Sequence, residues 1–218
     1  MKRNRSLPVV VLLILMGFPT AVHAQSLAAS LRAGTEGIGF GLTAPIAPTL
    51  NGRVQGSFFS YSQSGTTVVD DVDVAYDAKG ELFLLAALTD WHPFGNAFRL
   101  SGGVYYNGIK GSGLLNAAEP VEVSNRTYDP SEIGDLDIDV SPGTQIAPYF
   151  GVGFGNALKR SFGFSIDVGA LYHGAPSVEM TGTRMLEPMH QEAAQVEENI
   201  SWARFYPVLT IGFSTRLF

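Results

Sequence analysis

Polar and apolar residues alternate along this chain in runs too long for the strands of an ordinary water-soluble protein. In residues 161–173 the even positions Phe162, Phe164, Ile166, Val168, Ala170 and Tyr172 are apolar. The odd positions carry Ser161, Gly163, Ser165, Asp167, Gly169, Leu171 and His173. Period-two alternation puts the two sets on opposite faces of a strand. A run of this length exceeds a typical strand of about five or six residues. It suits a tilted membrane strand, which needs about 9–11 residues in the bilayer. The pattern recurs in 97–107, in 145–156, and in 37–44, where Ile38, Phe40, Leu42 and Ala44 alternate with Gly37, Gly39, Gly41 and Thr43. A soluble sandwich also alternates, with its apolar face inward. The second face separates the two cases: Gly, Ser, Tyr and sparse charge form a crowded lumen rather than a solvated exterior.

Turn lengths then set the topology, since barrels of this kind have short periplasmic turns and long external loops. Pro93-Phe94-Gly95-Asn96, Ala157-Leu158-Lys159 and 44–50 read as the short turns. The stretches 62–73, 108–144 and 174–201 read as long, acidic external loops. Strand 37–44 therefore descends, so another strand must climb before it, and only 26–34 is available, with Arg32 inward. The expected fold is all-β: an eight-stranded antiparallel up-and-down transmembrane β-barrel over 25–218, with long acidic extracellular loops. Residues 189–199, MHQEAAQVEEN, break the alternation. They read either as a short helix in the last loop or as solvated flexible chain.

The N-terminus changes the picture by naming a compartment. Lys2, Arg3 and Arg5 precede an apolar run over 7–18, and Val22-His23-Ala24 offers small residues at a cleavage site. Residues 1–24 are expected to be a signal peptide, and the apolar run is too short to span a membrane as a helix. Losing its three cations takes the formal net charge of −6 further negative, which argues against nucleic acid. With no Cys among the 218 residues, a disulfide scaffold, a thiolate zinc site, a cysteine nucleophile and a lipoprotein anchor are all excluded. No cofactor or metal is expected.

Alternation places Arg32, Arg53, Arg99 and Arg204 in the lumen together with Asp90, Asp167, Tyr105 and Tyr149. A ring of charges in a pore sets selectivity. Against that, an eight-stranded barrel is just wide enough for side chains to fill, so the charges would have to pair. Treating Phe94-Gly95 as a two-residue turn sets Trp91 opposite Phe98 and Asp90 opposite Arg99, a predicted lumen salt bridge. Of 20 Asp and Glu, 16 fall within 70–77, 119–139 and 179–198; such a mouth attracts cations and repels anions. The alternating Asp135, Asp137 and Asp139 lack the Gly and terminal Glu of a helix-loop-helix calcium site. The glycines of 34–39 are not followed by a helical pattern, so they do not make a phosphate loop. No serine sits in a nucleophile elbow, so an enzyme is not expected.

Three segments carry a resemblance: DWHPFGNAFRLSGGVYYNG (90–108), IAPYFGVGFGNALKRSFGFSIDVGALYHGAPSVEM (146–180) and RFYPVLTIGF (204–213). They are similar to the carbapenem-associated outer-membrane proteins, the CarO-type ornithine-uptake porins. The resemblance implies an outer-membrane barrel linked to passage of ornithine and other basic amino acids, and it brings no residue-level transport motif. The expected partners are outer-membrane lipid, lipopolysaccharide and small cationic solutes, with the chain a monomer. The alternative is a structural or surface-interaction barrel with a filled lumen and no open channel.

Overall fold

The computed structural model describes residues 26–69, 72–123 and 126–218. The expected signal peptide lies outside the described residues, as do Asp70 and Asp71. In chain order the strands are β1 (Ala28–Gly34), β2 (Gly37–Ala47), β3 (Leu50–Val69), β4 (Val72–Trp91), β5 (Phe98–Asn107), β6 (Lys110–Ala117), β7 (Val121–Val123), β8 (Arg126–Tyr128), β9 (Asp135–Ser141), β10 (Ile146–Phe154), β11 (Phe162–Tyr172), β12 (Ser177–Gly182) and β13 (Phe205–Arg216). Eight of them, β1 to β5 with β10, β11 and β13, close an antiparallel barrel in which β13 returns to pair with β1.

Alternation decides what the wall shows to each side. Phe164 lies opposite Phe213, Ile166 opposite Ile211 and Val168 opposite Leu209, all on the outer face. Outward Phe40, Phe150 and Phe213 are 64–66% exposed. A continuous apolar girdle of this kind exceeds what a monomer ordinarily shows to water and suits hydrocarbon.

The turn after β4 differs from the two-residue expectation. Asp90 lies opposite Ser101 and Trp91 opposite Leu100, so Asp90 does not face Arg99 across the hairpin. The connection is six residues long, 92–97, because local hydrogen bonds hold a wider turn. The Gly95 N–H donates to the His92 carbonyl at 3.0 Å, and the Phe98 N–H donates to Asn96 Oδ1 at 2.9 Å. Gly95 supplies the positive φ of 59°. The register moves by two residues, so every side chain keeps its face.

All three of the expected external loops contribute strands. β3 and β4 are 20 residues each and continue beyond the wall, where β4 pairs with β6 and the sheet extends through β9 to β12. The alternation Asp135-Leu136-Asp137-Ile138-Asp139 is a strand signature: the carboxylates point outward while Leu136 is buried with Val178 and Met180. Over that apolar face lie a 3-10 segment, Arg184–Glu192, and a helix α1, Ala193–Ile200, through Leu186, Met189, Val196 and Ile200. Of the two readings of 189–199, the ordered helical one holds.

The opposite extreme is the β1–β2 hairpin, whose turn at Thr35-Glu36 sits low in the wall. The Thr35 N–H donates to the Leu209 carbonyl at 3.0 Å. In return the Leu209 N–H donates to Thr35 Oγ1 at 3.0 Å, and Tyr206 Oη donates to the Thr35 carbonyl at 2.5 Å. This stitching turns the Glu36 side chain inward, 2% exposed.

Candidate functional site in the lumen

Five inward side chains from five strands converge on one ionic cluster. β1 supplies Arg32, β3 Arg53, β4 Asp90, β5 Arg99 and β11 Asp167, and none is more than 5% exposed. Asp167 is the hub. Arg99 grips it with Nη2 at 2.6 Å from Oδ1 and 2.8 Å from Oδ2, Arg32 Nη2 reaches Oδ2 at 2.5 Å, and Arg53 Nη1 stands 3.7 Å from Oδ2. Asp90 accepts from Arg53 Nη2 at 3.0 Å and from Ser101 Oγ at 2.6 Å. Arg99 Nε lies 3.9 Å from Asp90, so the pair expected across the hairpin survives only as a long contact. Arg99 Nη1 instead donates to the Gly155 carbonyl.

Three guanidinium groups against two carboxylates leave one excess positive charge. A third buried carboxylate, Glu36, accepts from Thr210 Oγ1 at 2.9 Å and from Gln55 Nε2 at 3.5 Å. It lines the same gap as Arg32 and brings the buried charges to balance. Gln55 Nε2 also donates to Tyr105 Oη at 2.9 Å, and the Tyr105 and Tyr149 rings stack obliquely with centroids 5.3 Å apart. Toward the external end on each strand the lining turns apolar: Leu82, Leu84, Ala86 and Leu88 on β4, with Ala147, Leu171 and Val208, form one packed cluster with the two tyrosines. The cavity between Arg53, Asp90, His92 and Arg99 measures about 20 Å³, room for about one water molecule and for no amino acid. The gap beside Glu36 has no room even for that.

At the end of the barrel that carries the short turns, His92 joins the cluster to its turn. Its Nδ1 lies 3.1 Å from the Asn96 carbonyl and 3.2 Å from that of Phe98, and its Nε2 lies 3.2 Å from Asn51 Nδ2. Two carbonyls at Nδ1 and an amide donor at Nε2 define the neutral ring protonated on Nδ1. Burial first, then the neighbouring Arg99 guanidinium, holds its pKa below the ordinary imidazole value.

Seven of the eight expected lumen residues, Arg32, Arg53, Asp90, Arg99, Tyr105, Tyr149 and Asp167, are buried inside the wall. Arg204 is not: it is exposed just ahead of β13, and its Nε donates to the Ser201 carbonyl at 2.9 Å. Parity carried backward from β13 failed there because the chain is no longer a strand. Glu36 and the leucine stripe of β4 were missed. The stripe was within reach, because Leu84, Ala86 and Leu88 share the parity of Asp90. Glu36 sits in a turn, where alternation carries no information.

The fold so defined is a closed eight-stranded antiparallel barrel of the membrane type, its lumen filled by ion pairs and an apolar plug. Solved structures share that fold: CarO2 of Acinetobacter baumannii superposes with a TM-score of 0.58 at 20% identity, over 88% of this chain and 98% of that one. CarO of Acinetobacter baumannii gives 0.57 at 21% identity, over 86% and 96%. No protein-family model and no curated protein matches the chain.

Proposed function

We propose that the protein is a bacterial outer-membrane, porin-like barrel for small cationic solutes such as ornithine and other basic amino acids, closed at rest. The observation that carries this reading is the placement of charge along the barrel axis. Asp135, Asp137, Asp139 and Glu179 stand exposed on the external sheet, with Glu179 directly opposite Asp139. Like charges in direct opposition destabilise a sheet, and what they provide is a field that concentrates cations at the external end. The CarO-type resemblance of 90–108, 146–180 and 204–213 points to the same solutes. Passage requires the lumen to open, because Asp167 and its three arginines occupy the space a solute would cross.

The filled lumen also favours a second reading, a structural or surface-interaction barrel with no open channel. Single-channel recording of the refolded protein in planar bilayers separates the two. Under the first reading, the protein shows rare openings that ornithine or arginine blocks and glutamate does not. Leu84→Ala with Tyr105→Ala, which removes the plug, raises their frequency. Silence from both proteins assigns the second reading.

A further inference from the structure

We infer that the periplasmic rim carries a binding site for an anionic phospholipid, between the β10–β11 connection and the turn after β4. The inference rests on the outer-membrane reading above.

Two contacts bring the two connections together, and a third ties the end of β13 to the first of them. The Gly155 N–H donates to the Ala97 carbonyl at 2.8 Å, Lys159 Nζ donates to the Gly95 carbonyl, and Arg216 Nη1 reaches the Leu158 carbonyl at 3.4 Å. Between them opens a cleft of about 480 Å³, whose lining includes the aromatic Phe154, Phe162 and Phe164 and the polar Asn96, Lys159 and Arg160. It lies outside the barrel wall. The three phenylalanines occupy outward positions of β10 and β11, and Phe162 is 81% exposed.

The lining combines two chemistries. Its phenylalanines continue the outward aromatic girdle. Its cations are the adjacent Lys159 and Arg160, and Arg216 reaches the same connection. No Asp or Glu occurs in any connection at this end of the barrel: 44–50, 92–97, 155–161 and 214–218 hold none. The rim is cationic in a chain whose carboxylates gather at the opposite end.

A free inorganic anion would use the cations and gain nothing from the phenylalanines. A neutral lipid would use the phenylalanines and leave the cations without a counter-charge. A phospholipid with net negative charge satisfies both, with its phosphate at Lys159 and Arg160 and its acyl chains along Phe154, Phe162 and Phe164. The cleft volume lies within the range of about 300–1,000 Å³ usual for small-molecule sites.

Native mass spectrometry of the refolded protein, exchanged against equimolar phosphatidylglycerol and phosphatidylcholine, reads the site directly. The wild type should retain one phosphatidylglycerol in preference to phosphatidylcholine. Lys159→Gln with Arg160→Gln should lower that preference by about tenfold or more, and Arg126→Gln, in the external region, should leave it unchanged. Because Lys159 also holds Gly95, the single Arg160→Gln variant is measured too and should give a partial loss while keeping heat-modifiable gel mobility. Inorganic phosphate should not displace the lipid. A folded, inserted wild-type barrel with no preference for phosphatidylglycerol overturns the site and leaves the membrane reading standing. Displacement by phosphate, or equal loss in Arg126→Gln, also overturns it. A protein that inserts into no bilayer overturns both.

Discussion

Arg99 and Asp167, 68 positions apart in the chain, meet in a two-oxygen grip inside the barrel, with Nη2 2.6 Å from Oδ1 and 2.8 Å from Oδ2. The grip joins β5 to β11 across β10, whose Gly153 lies opposite both residues. A Cβ on Gly153 would fall 2.5 Å from Asp167 Oδ1 and 3.0 Å from Arg99 Nε. Glycine there leaves room for the two side chains to touch over the intervening strand.

Asp90 depends on Arg53 rather than on the arginine nearest it in sequence. A double-mutant cycle of Asp90→Asn with Arg53→Gln should show coupling of about 1–3 kcal/mol, the range for residues sharing a buried network. The cycle of Asp90→Asn with Arg99→Gln should show the smaller coupling, about 0.5 kcal/mol, at the low end for residues sharing a network, since their one contact is 3.9 Å long. Urea unfolding in lipid vesicles measures both, and equal couplings would count against this arrangement.

Asp167→Asn should be the most damaging single change in the lumen. It leaves Arg53 and Arg99 with Asp90 as their carboxylate partner and takes from Arg32 the carboxylate it is paired with. Breaking one side of a buried pair costs about 3–5 kcal/mol. Loss of under about 1 kcal/mol in the same unfolding assay, the scale of an exposed pair, would mean that water screens the cluster.

Ile211 sits on the outer face beside Ile166, well inside both ends of β13. Ile211→Arg should destabilise the barrel in bilayers by about 2–4 kcal/mol, the scale for a cation near the midplane. Val68→Arg, on the projecting part of β3, should stay within about 0.5 kcal/mol. Equal effects would place the girdle elsewhere.

Lowering the pH should weaken the short-turn end of the barrel around His92. His92 is neutral in the fold, with its pKa held below the ordinary imidazole value by burial and by Arg99, whereas in the unfolded chain it titrates near about 6.5. The unfolded state therefore takes up the proton first. The stability that the neutral ring contributes is present above about pH 6.5 and is lost as the pH falls through that value toward the folded pKa. Urea midpoints compared at pH 8 and pH 5 should fall for wild type and flatten for His92→Gln; parallel curves would remove His92 from the account.

Most of the wall was legible because period-two patterning is a property of the strand itself. Phe162 to Tyr172 reads correctly from its own letters, and so do the inward Arg99 and Asp167. What patterning cannot see is which inward residues meet, since that depends on shear and on turn width. A turn four residues wider than assumed moved Asp90 from Arg99 to Ser101. The sheet beyond the wall was hidden for another reason: Asp, Ser, Thr and Gly in 108–144 have loop composition, and their strands exist because β4 offers a long edge to pair with. The same limit applies to Glu36, whose inward turn is dictated by Thr35 bonding to β13.

The pairing of β1 with β13 also dictates an order of assembly. Each of these strands offers an unsatisfied ladder until it finds the other, and they stand at the two ends of the described chain. No chain lacking β13 can seal itself, so it keeps two open ladders and an uncovered lumen face until that strand arrives. Completion is then a single event. Loss of β13 would leave two raw edges, on β1 and on β11, rather than a slightly smaller barrel.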